Sequence, residues 1–262
     1  MRLLRESKEM IVFVSFFSIA VLILIGIPIH KSLAKKVEIP DLGSVDFGTP
    51  TDSTDIDNIY MPLIPGTTFY YEAETEDGLE ENTVEVTSDT KVILGVTTVV
   101  VRDMAFLDGV LIEDTEDWFA QDVDGNVWYF GEDTESYTYD EDGNLIDTST
   151  EGSWEAGADV AGIGEDAEAG IVMLANPKNG LSYMQEYYKD EAEDMAAILR
   201  LNATVSIEFG DYDNCLKTKE WTPLERGSIE HKYYAPGVGL VYVEELKGKT
   251  VRVELVNITM TP

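Results

Sequence analysis

The chain has 262 residues, 44% of them hydrophobic, with 51 acidic against 18 basic residues and a formal net charge of -33. That length and apolar content allow a buried core, whereas so negative a surface repels phosphate backbones and excludes nucleic acid as a partner. The single cysteine, Cys215, excludes an intramolecular disulfide, so the fold must rest on its core.

Residues 1–36 read as a signal anchor or signal peptide. The stretch from Met10 to Ile29 carries no charge. As a helix it would span about 30 Å, the thickness of a bilayer's hydrocarbon core. Arg2, Arg5 and Lys8 precede it, and Ser32-Leu33-Ala34 offers a cleavage-like site. The run exceeds the roughly 7–15 residues of a secretory signal's apolar region, which favours an anchor. The expectation is a protein held at the cell membrane by this segment with its C-terminal domain exported, or secreted after cleavage.

Residues 37–65 are rich in Pro, Gly, Ser, Thr and Asp without sustained periodicity. They read as a linker lifting residues 66–262 off the membrane. Between Val37 and Pro177 only Lys91 and Arg102 are basic. A face this acidic suits cations, basic partners or a salty medium.

From Gly66 onwards the pattern is that of strands. Asp77-Gly78, Asp108-Gly109, Asp124-Gly125 and Asp142-Gly143 each follow an aromatic or β-branched run. Asp-Gly in that setting predicts a hairpin, since both residues tolerate the positive φ of a tight turn. Trp128 and Phe130 share one parity and Tyr137 and Tyr139 the other, which predicts a β-bulge near Gly131.

Residues 156–169 form a small-residue acidic loop, and Asn176 to Gly180 a turn. Met195, Ile198 and Leu199 follow helical spacing, so one short helix within Asp190 to Leu201 is expected, with a long strand as the alternative. Gly237 and Gly239 mark a tight connection, and the chain ends in a hairpin with Val251, Val253 and Leu255 inward. The fold class expected is mainly β: a single antiparallel meander of about a dozen strands, curled into a barrel, half-barrel or sandwich.

Asp122, Asp124 and Asn126, and again Asp140, Asp142 and Asn144, place oxygens at alternate positions and are candidate calcium ligands. An EF-hand loop needs glycine sixth, and here it is fourth, so hairpin turns account for the same residues. No other cofactor is expected. Trp118, Phe119, Trp128, Tyr129, Phe130, Tyr137, Tyr139 and Trp154 concentrate in one meander. Of these Trp118, Trp128, Tyr137 and Trp154 are candidate sugar-stacking residues, against the alternative that they form core. Cys215 and His231 are a candidate nucleophile and base only if the fold brings them together. No phosphate loop, HExxH or paired-cysteine motif occurs.

Three stretches, DGNVWYFGEDT (Asp124–Thr134), DNCLKTKEWTPLE (Asp213–Glu225) and EHKYYAPGVGLV (Glu230–Val241), together resemble a family of uncharacterised exported and lipoprotein-type bacterial and archaeal proteins. The resemblance implies an extracytoplasmic β domain and no particular activity. The function expected is non-enzymatic binding of an apolar ligand, a glycan or an envelope protein. A carboxylate-based surface hydrolase and a calcium- or salt-dependent structural or adhesion protein are the alternatives.

Overall fold

A computed structural model of the chain describes residues 35–36, 41–140, 142–225, 227–246 and 250–261. Its strands are β1 (Lys35–Lys36), β2 (Thr67–Glu74), β3 (Leu79–Ile93), β4 (Val96–Leu107), β5 (Val110–Gln121), β6 (Val127–Tyr139), β7 (Leu145–Ser149), β8 (Trp154–Glu155), β9 (Glu168–Met173), β10 (Leu181–Met184), β11 (Glu186–Tyr187), β12 (Met195–Ile207), β13 (Gly210–Trp221), β14 (Ile229–Ala235), β15 (Gly239–Glu245) and β16 (Val251–Met260). They form one sheet in the order β1-β10-β12-β13-β14-β15-β16-β2-β3-β4-β5-β6-β9-β11, with β7 and β8 also paired to β6.

The meander is as expected in being antiparallel between sequence neighbours, with its first and last long strands, β2 and β16, paired. It differs in closure. Among the described residues no ladder joins β10 to β9, so the sheet is not closed into a barrel. The reason is a strand switch. The chain from Leu181 to Met184 pairs with β12, and after Gln185 alone the next two residues pair with β9. Gly170 makes this crossing possible, because a Cβ there would lie 2.2 Å from the Gln185 carbonyl oxygen.

Alternation builds the core. Phe69, Tyr71 and Ala73 on β2, Val84 and Val86 on β3, Val241 and Val243 on β15, and Val253 and Leu255 on β16 all point inward and are buried. Each large apolar side chain so buried contributes about 1.5–3 kcal/mol.

The turns follow the local chemistry. Asp108 and Gly109 both have positive φ, 48° and 78°, in the two-residue turn between Leu107 and Val110. Asp122–Asn126 and Asp140–Asn144 are instead longer, matching loops. In each the first and fifth residues hydrogen-bond and the glycine takes φ of 89° or 79°. The bulge expected near Gly131 is present: Phe130 and Gly131 together face the single residue Trp118 between the pairs Asp117–Glu132 and Phe119–Tyr129.

The expected short helix is corrected. The segment Asp190 to Leu201 holds no helix. After a turn at Asp190 it enters β12, where Ala196 and Ile198 are buried and Leu199 is exposed. Pairing with β10 and β13 on its two sides overrides the helical spacing.

Residues 41–65, within the segment expected to be a linker, are packed against the sheet. They carry a 3-10 turn at Leu42–Ser44 and a helix α1 (Pro50–Thr54) capped by Thr49. They then strap the sheet through the buried Phe47, Ile56, Met61 and Leu63. Phe47 meets the edges of Trp128 and Phe130 at 5.9 and 5.7 Å.

Among the described residues, no helix is long and apolar enough to cross a membrane. The expected membrane helix at residues 10–29 lies outside the described residues. The membrane as a partner through that segment, and the membrane-anchored location, therefore form no part of the described fold.

Candidate functional site

The candidate calcium ligands serve the turns they sit in. Asp122 Oδ1 accepts the backbone N–H groups of Asp124 and Asn126 at 3.0 and 2.8 Å, and Oδ2 accepts Asn126 Nδ2 and Trp128 Nε1, each at 2.8 Å. Asp140 repeats the pattern with Asp142 and Asn144. These donations hold the Asp140 carboxyl below the usual carboxylate range. Asp124 and Asp142 therefore stand in the loops as turn residues beside carboxylates already saturated with donors. Among the described residues, no group of three or more His, Cys, Asp or Glu is arranged to hold a metal ion.

The aromatic candidates lie mostly within the sheet's packing. Trp118, Trp128 and Trp154 are 4%, 0% and 1% exposed, and Tyr137 is half-buried. Tyr129 stacks on Phe119 at 4.9 Å and meets Trp154 edge-on at 5.2 Å. Trp154 donates its Nε1 proton to Glu186 at 3.0 Å. Lys91 caps the face of Trp118, 3.2 Å from the ring centroid, and pairs with Glu155. Rings so enclosed present no open face for a sugar to stack on. Tyr137 bonds Glu135 on the surface, apart from the three indoles.

Cys215 and His231 have separate surroundings. The thiol is fully buried, 3.8 Å from the Tyr212 carbonyl oxygen, and burial pushes it up to about 11. His231 lies beside Glu244, with its pKa lowered chiefly by burial and then by Lys217. Neither is poised as a nucleophile or its base.

Inside the curl the structure holds something composition concealed: buried charge. Lys232, 2% exposed, pairs with Glu220 at 3.2 Å and Glu230 at 3.4 Å. Burial pulls its pKa down, but the two carboxylates outweigh that and hold it above the usual lysine range. Glu220 also accepts from Thr218, Tyr234 and Gln185. On the facing strands Asp103, Glu113, Asp117 and Glu132 are buried too. The cavity beside Glu220, walled by Met61, Leu63, Phe69 and Leu240, measures about 40 Å³. That is room for a water or two, against roughly 300–1,000 Å³ for an ordinary ligand site.

A feature with the dimensions of a site lies on the outside. The outer faces of β3, β4, β5 and β6 form an open groove of about 960 Å³. Strand register builds it. Glu85 faces Arg102, Arg102 faces Glu116, Glu116 faces Asp133, and Asp114 faces Glu135 across successive ladders. Asp114 clasps Arg102 with two bonds, at 2.7 and 2.5 Å, so the one guanidinium of the groove is already engaged. Asp89 adds a further carboxylate, and Ser88 and Thr150 line it as well; the Thr134 hydroxyl is turned inward to Thr115 and the Thr87 hydroxyl is given to the Val100 carbonyl. Like charges directly opposite one another, such as Glu116 and Asp133, cost stability until a cation intervenes. The groove contains neither histidine nor cysteine. It offers charge and hydrogen bonding, with no nucleophile–base pair.

No protein-family model matches this chain, and no curated protein matches it. Among solved structures, it aligns with a protein named as a lipoprotein from Parabacteroides distasonis ATCC 8503 at 14% identity and a TM-score of 0.40. It also aligns with a protein named as exported, with a YmcC-like fold, from Bacteroides fragilis NCTC 9343, at 16% identity and a TM-score of 0.40. Each alignment covers 77% of this chain and 99% of the other. Similarity at that level assigns no function.

Proposed function

We propose that the protein is a non-enzymatic binding protein whose groove on β3–β6 receives a cationic partner, an extended basic peptide segment. The observation that carries this reading is the register of that face. It sets Glu85, Asp114, Glu116, Asp133 and Glu135 side by side around a single, already paired Arg102. An extended chain with a lysine or arginine at alternate positions matches the two-residue repeat of such a face. Each cation would relieve a like-charge contact already present in the free protein. The groove is wide and open, which suits a chain laid across it better than a small molecule enclosed by it.

The test is a calorimetric titration of the full-length protein with hexalysine, and separately with hexaglutamate. Hexalysine is expected to bind with one-to-one stoichiometry and to weaken steeply with added salt. The double variant Glu116→Gln, Asp133→Asn is expected to bind at least tenfold more weakly. Equal binding by that variant and the parent, both with unchanged folds, would refute the assignment to this groove.

A further inference from the structure

The cations of this chain are few, yet the outer face of β12–β15 sets two of them side by side. Across the β12–β13 ladder Arg200 and Lys217 are direct partners. Across β13–β14 Lys217 faces Tyr233, and across β14–β15 Tyr233 faces Tyr242. Two like charges directly opposite each other on a sheet are destabilising. With 51 acidic residues to draw on, a carboxylate at either position would have removed the conflict. The conflict stands.

The backbone is shaped around it. The β12–β13 register slips between Ile198 and Arg200 and again between Arg200 and Ala203. Arg200 thus sits between two bulges, which turn side chains away from the regular pleat. They open a pocket of about 290 Å³ lined by Leu199, Arg200, Ala203, Thr204, Lys217 and Tyr233.

The two cations differ in what they already hold. Lys217 Nζ donates to the Tyr233 hydroxyl oxygen at 2.5 Å and lies 3.5 Å from Glu244 Oε2; Tyr233 in turn donates its proton to Glu244 at 2.8 Å. That carboxyl is held below its usual range: burial pushes it up, but Tyr233 and Lys217 outweigh burial. Lys217 is therefore oriented by a fixed chain of contacts. Arg200 is exposed, and among the described residues its guanidinium has neither an ion pair nor a hydrogen bond. A free planar fork beside an anchored ammonium is the donor arrangement that grips an oxyanion through two parallel bonds and a point charge.

The geometry points to an oxyanion site at Arg200, Lys217 and Thr204, taking a small ligand that presents a carboxylate or a phosphate. Arg200 supplies the bidentate contact, Lys217 the second charge and the Thr204 hydroxyl a further donor. Tyr233 acts at one remove, holding Lys217 in place. The site lies on a different set of strands from the β3–β6 groove and is independent of it. Because the whole molecule repels anions at long range, the site selects small ligands that reach the pocket within a Debye length, roughly 8–10 Å at moderate salt. Long polyanions remain excluded.

The experiment uses the full-length protein with inorganic phosphate and acetate as separate probes, at constant ionic strength in chloride. The Arg200 side-chain Nε–Hε resonance is followed by NMR. At least one of the two anions is expected to give a saturable shift; which one does so distinguishes a phosphate ligand from a carboxylate ligand. Arg200→Gln is expected to weaken that anion at least tenfold, read on Lys217, and Lys217→Gln at least threefold. Glu244→Gln removes the carboxylate that competes for Lys217 and is expected to tighten binding about threefold. Thermal melts of each variant show whether the fold is retained. The proposal fails if neither anion gives a saturable shift, or if Arg200→Gln binds as the parent does. It also fails if Glu244→Gln weakens binding with the fold intact.

Discussion

The hydroxyl of Tyr129 lies 2.6 Å from Asp117 Oδ1 at a point where no part of Asp117 reaches solvent. The same hydroxyl is 3.0 Å from Glu132 Oε2. A phenol has one proton to give, so two carboxylates cannot both be served by it while both are charged. Burial raises the Asp117 pKa well above its ordinary value, and the neighbouring Glu132 and Asp103 raise it further. Burial likewise pushes Glu80 up to about 7, with Asp77 adding to it, and Glu245 up to about 8, with Glu230 adding to it. A carboxyl whose pKa is higher in the folded state stabilises the fold while protonated and loses that contribution as pH rises through the folded value. Stability is therefore expected to fall between about pH 5 and pH 9. Denaturant unfolding across that range measures it. Asp117→Asn and Glu245→Gln should flatten the slope, and the exposed Glu208→Gln should not. A stability independent of pH in the parent would contradict the buried-proton account.

Lys232 sits between Glu220 and Glu230 in the interior and pairs with both. Lys232→Met leaves two buried carboxylates without their countercharge, and is expected to cost about 3–5 kcal/mol. The further change Glu220→Gln, Glu230→Gln should recover most of that loss. Urea denaturation of the single and triple variants decides it. An additive result, with no recovery, would place the stabilisation elsewhere.

The two matching loops give a comparison within one molecule. Asp122 is buried and accepts the Trp128 indole proton as well as its turn's donors, whereas Asp140 is exposed and serves its turn alone. Asp122→Ala is expected to cost about 2–3 kcal/mol, because buried donors lose their acceptor. Asp140→Ala should cost measurably less. Equal losses, read from urea midpoints, would mean that the loop alone matters and the indole bond does not.

Gly131 has φ of 130°, and a Cβ there would lie 2.2 Å from the Trp154 carbonyl oxygen. Gly143 also has positive φ, but the space around it is open. Gly131→Ala is expected to cost more than about 3 kcal/mol, and Gly143→Ala about 1 kcal/mol. Denaturation midpoints separate a steric role from a conformational one.

A net charge of -33 repels itself. Raising sodium chloride from about 0.05 M to 1 M should raise the melting temperature as the Debye length shrinks from above 10 Å to about 3 Å. Calcium chloride at matched ionic strength is expected to add no saturable increment of its own. A saturable calcium effect lost in Asp122→Asn would restore the metal reading of that loop.

How much of this was readable beforehand depends on range. The Asp-Gly corners and the Gly131 bulge were legible because turn chemistry and parity act over a few residues. Asp114 and Asp117 show the limit. They are three positions apart in the same acidic strand, yet Asp114 faces the groove and Asp117 is sealed inside. Alternation puts the two on opposite faces, but which face is sealed is decided by packing against partners far away in the chain. Abundant acids made each one uninformative alone. Phe47, Ile56, Met61 and Leu63 are too widely and unevenly spaced to sustain a strand or helix period, so the strap they form gave no signal. Arg200 and Lys217 look like two scattered surface bases until the ladder sets them opposite each other.

The switch at Gln185 gives the curled wall two very unequal joins. Along one side β2 and β16 are laced from Val253–Ala73 to Met260–Thr67. On the other, the ladder between β11 and β9 has two pairs, Glu186–Ala169 and Tyr187–Glu168, helped by side-chain bonds such as Trp154 to Glu186 and Tyr188 to Asp159. The molecule is a cuff with a stout spine and a light buckle. Heat or tension should part it first at the buckle, swinging the two halves about the spine and admitting water to the charges sealed within.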